Sequence, residues 1–379
     1  MDSILYYLGF NRVPGIGPAR LDRIIAHCGS LESAWNASAG ELIAAGLDQR
    51  SIESLVQTRR TLDLEAEYER AIDAGIRLIS RDDPAYPALL AQTTNPPFLL
   101  YVRGTLTEMD RWALAVVGTR QASAYGKEAA RKLVSGLVAA GVTIVSGLAL
   151  GIDAVAHSAA LAAGGRTLAV LGSGVDQIYP LTNQQLGTAI VQQGALISEY
   201  PIGTLPAATN FPPRNRLIAG LALGVLVVEA ASRSGALITA QFAVEQGREV
   251  LAVPGNIFSQ RSEGTHRLIK DGATLATCVD DILEALNLQS AYEQQTIAAA
   301  MPETPEERAL LRLVEAEPRH IDVIARESAL PQPVVSATLT LLELKGVVRQ
   351  VGGMHYVLVR EEPEPYQAAA SECDPPTPG

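Results

Sequence analysis

Several protein classes are set aside by what this chain of 379 residues has little of. Its three cysteines, Cys28, Cys278 and Cys373, stand too far apart for a metal-ligand spacing or a disulfide framework. No apolar run reaches the length of a membrane span, and the start, Met1-Asp-Ser-Ile, lacks the basic stretch of a secretory signal. A cytoplasmic location without membrane contact is the expectation. No Gly-x-Gly-x-x-Gly follows the first core strand, Ser146-Gly147 stands at the end of the second where an acid would hold a ribose, and no Walker A lysine motif occurs. Neither a metal nor a cofactor is expected.

Aromatic residues make up only 5% of the chain, against 47% hydrophobic residues overall, so the core is chiefly aliphatic. Lysine is scarcer still: of the 30 basic residues 26 are arginine and 4 lysine. The net charge of −11 argues at first against nucleic acid, but it is unevenly spread. Residues 289–379 hold 14 acidic and 7 basic residues, leaving 27 acidic and 23 basic over residues 1–288. A local basic groove is compatible with that distribution. A guanidinium forks onto phosphate oxygens and stacks on bases, although a GC-rich genome produces the same arginine bias.

What is present falls into segments. Residues 1–75 read as a small helical domain of helix-hairpin-helix or SAM-like type. In it, Val13-Pro-Gly-Ile-Gly-Pro-Ala-Arg-Leu21 sets a Gly-Ile-Gly hairpin before an apolar-periodic helix. Such hairpin amides can hold a DNA phosphate, and the same pattern serves as a plain helix connection. Residues 76–288 open with an entry segment that includes the strand Phe98–Val102. Strand candidates then follow at Ala113–Val117, Val142–Ser146, Thr167–Leu171, Ala195–Ser198, Gly224–Glu229 and Val250–Val253. Helical periods, such as Lys127–Ala140 and Ile152–Ala163, lie between most of them. This alternation predicts an α/β doubly wound parallel sheet with helices on both faces and a ligand outside the carboxyl ends of the strands.

Those strand ends are informative. The β-branched run Val142–Val145 leads through the small-residue turn Ser146–Gly151 into a helix with Asp153 in its first turn. A glycine turn before a helix start offers amides to an anion, and any strand-to-helix connection needs such a turn too. The other ends carry Gly118-Thr119-Arg120 with Ser123, Gly172-Ser-Gly174, Ser198-Glu199 leading to Asn210-Phe-Pro-Pro-Arg-Asn-Arg216, and Glu229 leading to Ser232-Arg-Ser-Gly235. Taken singly, the glycines make turns, Arg214 and Arg216 cap helices or pair with Glu199 and Glu229, and Phe211 is core. Taken together at one rim, Gly118, Thr119, Arg120, Ser123, Ser146, Gly147, Phe211, Arg214, Asn215, Arg216, Ser234 and Gly235 supply amides, forks and a stacking face for a phosphate-bearing ligand. His157, set among alanines within the helix, is expected to be structural.

Residues 86–288 closely resemble the DprA/Smf family of bacterial DNA-processing proteins. The matching stretches are Val116-Val-Gly-Thr-Arg-Gln-Ala-Ser-Ala-Tyr-Gly126, Ser146 to His157, Tyr179-Pro180, Ile197-Ser-Glu199, Phe211-Pro-Pro-Arg-Asn-Arg-Leu-Ile218, Ser234 to Ala240 and Val253-Pro-Gly255. The resemblance implies an extended Rossmann-like domain that binds single-stranded DNA without being an enzyme. It implies a homodimer, expected here near Thr265–Ala273. It also implies a role in protecting incoming DNA and loading the RecA recombinase during natural transformation. The family's pocket maps to Arg120, Ser146, Gly147, Phe211, Arg214, Asn215 and Arg216. One departure stands out: Leu205-Pro-Ala-Ala-Thr-Asn210 contains no lysine, which reduces the basic character there.

Residues 289–304 read as a linker. Helical periods at Pro305–Val314, His320–Glu327 and Gln332–Leu344, then strands at Val347–Val351 and His355–Val359, give the order of a winged helix over 305–360. Gln332–Leu344, its recognition-type helix, holds no Arg or Lys, so this domain reads as a protein-contact module rather than a duplex reader. Residues 361–379, with five acids and six prolines or glycines, read as a disordered acidic tail. The rival from another class is a Rossmann-like nucleotide-hydrolysing enzyme using Glu199 or Glu229 as acid or base.

Overall fold

The computed structural model describes residues 3–288, 304–314, 318–344 and 348–358. Most of the expected linker and all of the expected acidic tail lie outside these residues. The chain divides into two compact units, Met1–Gln289 and Ser290–Gly379.

Six helices open the first unit: α1 (Ser3–Asn11), α2 (Pro18–Cys28), α3 (Leu31–Asn36), α4 (Ala39–Ala44), α5 (Gln49–Thr61) and α6 (Leu64–Asp73). Side-chain caps start several of them. Ser38 and Glu41 form a capping box at α4, and Asp48 and Asp63 accept backbone N–H bonds at α5 and α6. Then come β1 (Ile76–Ser80), α7 (Ala88–Ala91), β2 (Leu99–Gly104), β3 (Ala113–Val117), α8 (Ala124–Ala139), β4 (Thr143–Ser146), α9 (Ile152–Ala162) and β5 (Thr167–Val170). They are followed by α10 (Gln184–Gln193), β6 (Gly194–Ser198), α11 (Phe211–Gly220), β7 (Gly224–Val227), α12 (Gly235–Glu245), β8 (Glu249–Ala252), α13 (Glu263–Lys270), β9 (Thr274–Leu275) and α14 (Val279–Ala285).

The nine strands form one sheet in the order β1-β2-β6-β5-β4-β3-β7-β8-β9. Strands β3 to β9 run parallel, as the alternation predicts. Two features go beyond that reading. The entry segment is itself in the sheet, with β2 antiparallel to β6 and β1 antiparallel to β2, and the short β9 extends the far edge. Period-2 alternation divides the core. Leu114, Val116, Ile144, Leu226 and Leu251 face the cluster that includes α8, α9 and α14 residues, whereas Ala115, Val117, Val145, Val225 and Val227 face that of α11 and α12.

The N-terminal helices share a third cluster with the β2–β6–β5 side of the sheet, where Tyr7 and Phe10 pack in a core that also holds Tyr101, Ala169 and Leu196. Polar contacts fix the same joint. Tyr101 Oη donates to Asn11 Oδ1 at 3.0 Å, and Asn11 Nδ2 donates to the Glu199 carbonyl at 3.1 Å. The helical segment is thereby anchored at the carboxyl end of β6.

The second unit has α15 (Pro305–Leu311), β10 (Arg319–His320), α16 (Ile321–Ser328), α17 (Gln332–Leu344), β11 (Val348–Gln350) and β12 (His355–Leu358). Its strands pair antiparallel in the order β10-β12-β11, so β10 joins the wing hairpin. Leu310, Ile324, Val335, Leu339 and Leu342 form its core.

His157 is structural, as expected. It is fully buried, with Nδ1 2.7 Å from Thr167 Oγ1, which itself donates to the Ile144 carbonyl. The hydroxyl proton is thus committed, and Nδ1 carries the imidazole proton. Nε2 has no partner among the described residues, and burial pushes the histidine down to about 3. Because the folded state keeps His157 neutral while the unfolded chain protonates, its stability contribution is full above pH 6.5 and is lost as pH falls toward 3. Lowering the pH from 7 to 5 should cost about 2 kcal/mol through this residue. Thermal melts at the two pH values should therefore separate further for the native protein than for His157→Asn.

Candidate functional site

Three strand-to-helix turns meet at the carboxyl end of the sheet and are tied to one another. The Thr119 N–H donates to the Glu229 carbonyl at 2.7 Å, and the Ile152 N–H donates to the Thr119 carbonyl at 3.2 Å. Gly151 sits where the second turn crosses the first, with φ +81°. A Cβ there would lie 2.2 Å from the Thr119 carbonyl oxygen, so only glycine closes this crossing. Beside these turns, at the point where strand order reverses between β3 and β7, opens a cavity of about 670 Å³.

Phe211 forms one wall. It begins α11, and the two prolines that follow preset the first helical turn. Its ring lies 5.8 Å from that of Tyr179, nearly parallel, with the guanidinium carbons of Arg120 and Arg214 5.8 and 5.9 Å from its centroid. Gly172, after β5, permits this approach, since a Cβ there would stand 2.8 Å from the ring. Phe211 is half-buried and Tyr179 exposed.

The arginines that look alike in sequence have different surroundings. Arg214 is buried, and its Nη1 donates to the carbonyls of Gly147, at 3.0 Å, and Val170. Its charge faces Asp153, also buried, whose Oδ2 accepts from the amides of Gly147 at 3.1 Å and Ala149 at 3.4 Å. Burial raises Asp153 and lowers Arg214 to about 10, and each partner's charge opposes the shift of the other. Arg216 turns away and pairs with Glu199, while its Nη1 donates to the Asn95 carbonyl at 2.9 Å. Burial raises Glu199 and the Arg216 charge opposes it. Arg120 is exposed and has neither a hydrogen bond nor an ion pair among the described residues.

The cavity thus brings together Gly118, Arg120, Phe211, Arg214, Asn215, Ser234 and Gly235 from the residues singled out in sequence. Thr119, Ser123, Ser146, Gly147 and Arg216 do not line it. Ser146 Oγ donates to the Val116 carbonyl at 2.6 Å, beneath the floor. The Gly147 turn was expected to offer its amides outward, but the carboxylate of Asp153 already holds them. Ser123 caps α8 and donates to Glu229 at 2.6 Å, which gives that buried carboxylate its partner. Ser234 caps α12 at the cavity edge. Tyr179 and Asp153 were not singled out as site residues. The position of Tyr179 after the Gly172–Gly174 strand end was the available signal. No membrane-length apolar helix and no cluster able to hold a metal occur among the described residues.

Removing a partner from a buried charge typically costs about 3–5 kcal/mol. Arg214→Met leaves Asp153 without its cation and two carbonyls without a donor. It should lower the unfolding free energy from urea melts by an amount of that order, whereas Arg120→Glu should leave it near that of the native protein.

Comparison with known proteins bears on this cavity. Residues 77–287 match the family model described as DNA recombination-mediator protein A, and residues 294–354 match the DprA winged helix domain. Protein Smf of Synechocystis sp. is 37% identical over 390 residues, covering 93% of this chain and 98% of the relative. Protein Smf of Escherichia coli is 42% identical over 347 residues, covering 86% and 90%. The X-ray structure of DNA processing protein A from Streptococcus pneumoniae aligns with a TM-score of 0.65 at 34% identity, over 75% of this chain and 98% of that one. A Helicobacter pylori DNA processing protein A, solved for its single-stranded DNA binding mode, aligns with a TM-score of 0.51 at 27% identity, over 56% and 95%.

Proposed function

The chain belongs to the DNA recombination-mediator protein A family, and from that premise we propose that the Phe211 cavity binds single-stranded DNA. The family places the chain in DNA processing for recombination. The finer reading is a non-enzymatic binder that protects incoming DNA and helps load RecA recombinase during natural transformation. The observation that carries it is Arg120, exposed beside the stacked Phe211 and Tyr179 without an ion pair. One guanidinium for a phosphate and one ring pair for a base suit a flexible single strand, whose bases are free to stack. In the reading of site residues, Arg120, Phe211, Asn215, Ser234 and Gly235 meet the strand. Arg214, Ser146 and Gly147 shape the floor, Thr119 and Ser123 hold the neighbouring turns, and Arg216 braces α11.

The hydrolytic alternative would use a carboxylate of this rim as acid or base. Glu229 is engaged by Ser123, Glu199 by Arg216 and Asp153 by two amides. Release of free base from nucleoside monophosphates by the pure protein would favour it.

The winged helix is read as a protein-contact module. On α17 the exposed residues Gln332, Val334, Ser336, Ala337, Thr340 and Leu341 are uncharged, and Gln332 Nε2 donates to Asp322 at 2.7 Å. A duplex-reading helix presents basic or amide groups at its start.

Anisotropy at fixed salt should give tighter binding to a single strand than to a duplex of equal length. A site of three to five phosphates should give a log–log salt slope of roughly −2 to −3.5. Arg120→Glu should abolish most of this binding with the fold intact, while deletion of residues 305–379, which removes net negative charge, should leave affinity equal or slightly higher. Loss on truncation together with retention in a folded Arg120→Glu variant would move the site to the winged helix.

We also propose a homodimer through α13 and the residues to Ala273. Leu268 and Ile269 are only half-buried there, and Leu275 is exposed in the edge strand β9. Two pockets on one strand raise avidity through effective concentration. Light scattering at micromolar concentration should return twice the chain mass, and a monomer would count against the proposal.

A further inference from the structure

The cavity occupies only part of the rim. Sheet order continues from β3 through β7 to β8, and the loop that leaves β8 carries Ile257 and Phe258 at 77% and 89% exposure. Phe258 is the most exposed large apolar side chain among the described residues.

This loop is fixed at both ends. Tyr125 Oη donates to the Pro254 carbonyl at 2.7 Å, and His266 Nε2 lies 3.1 Å from the Gly255 carbonyl. Asn256 accepts from the Phe258 amide through its side chain and from the Ser259 amide through its carbonyl, both at 2.9 Å. Beyond the tip, the Arg261 carbonyl accepts from the Ala230 amide at 2.7 Å, and Arg261 Nε donates to the Gln121 carbonyl at 2.9 Å. The apolar tip is therefore held on a braced loop, and Arg261, three residues beyond Phe258, joins that loop to Gln121, the neighbour of Arg120.

Three arginines stand in the segments that follow β3, β7 and β8. Arg120 follows β3, Arg233 follows β7 and Arg261 lies in the loop after β8, and none has an ion pair among the described residues. Glu263, at the start of α13, is the nearest acid in sequence. An exposed aromatic on a loop that also carries a guanidinium without an ion pair has the two elements that a single strand requires, a stacking face and counter-charge for its backbone.

We propose that Ile257 and Phe258 form a second base-stacking platform, so that a strand leaving the Phe211 cavity passes Arg120 and lays a further base on Phe258. The occupant is the same single strand, since Arg261 in the tip's loop donates to the Gln121 carbonyl, next in sequence to the cavity-lining Arg120. The inference rests on the cavity being a single-strand site.

The test compares oligothymidylates of about four and about twelve nucleotides, lengths within the range of known single-strand sites. The full chain, Phe258→Ala and Phe258→Trp are measured by anisotropy, with light scattering on each. Phe258→Ala should bind the short oligomer like the native protein and lose roughly tenfold on the long one, and Phe258→Trp should restore the loss. Photo-crosslinking from a halogenated pyrimidine in the long oligomer should label the peptide that contains Phe258. Equal affinity of Phe258→Ala for the long oligomer overturns the platform while leaving the cavity reading intact. A variant that becomes monomeric also overturns it, because the tip is then a contact between two copies. If Arg120→Glu leaves short-oligomer binding unchanged, the cavity reading fails and the platform falls with it.

Discussion

A guanidinium out of water sets the terms for this site. Arg214 is buried, and a buried charge is tolerated only when it is paired and hydrogen-bonded. Here the carbonyls at the ends of β4 and β5 receive it and Asp153 balances it, so α11 is stapled to two neighbouring strand ends. The geometry leaves no room beside it. A Cβ on Gly147 would meet Arg214 Nη2 at 2.8 Å and Asp153 Oδ2 at 2.9 Å. Phe211, three residues earlier on the same helix, is thereby held with its ring over the cavity.

The result is a division of labour among chemically identical side chains. Arg214 satisfies the interior, Arg216 braces α11 against Glu199 and the Asn95 carbonyl, and Arg120 stays exposed beside the Phe211 ring without an ion pair among the described residues. The acids are divided in the same way. Asp153 replaces an external anion at the Gly147 turn, and Glu229 ties Ser123 to the start of α8. A helix start that looks prepared for phosphate can thus be filled from within, by a carboxylate six residues along the chain.

Much of the fold was legible in the sequence, because parallel strands buried on both faces leave uninterrupted apolar runs. Ala113–Val117 is read at the same bounds in sequence and structure, and Gln332–Leu344 likewise. The antiparallel pair β1–β2 was not legible as part of the sheet, since nothing local to Phe98–Val102 specifies pairing with a strand almost a hundred residues later. The motif residues were legible as a rim, but not their assignment to cavity or floor. Whether an arginine faces solvent depends on carbonyls brought up by other strands, and Val170 carries no sign in sequence that it will receive Arg214. Tyr179 was visible only as part of a motif, because its stacking on Phe211 joins two loops.

The cavity lining contains arginine but no lysine. Acetyl transfer neutralises an ammonium group and has no counterpart at a guanidinium, which also stays protonated throughout the physiological range. Lysine acetylation therefore cannot neutralise the charge that Arg120 presents. A guanidinium can still be methylated, which would keep the charge of this lining and block its forked hydrogen bonds.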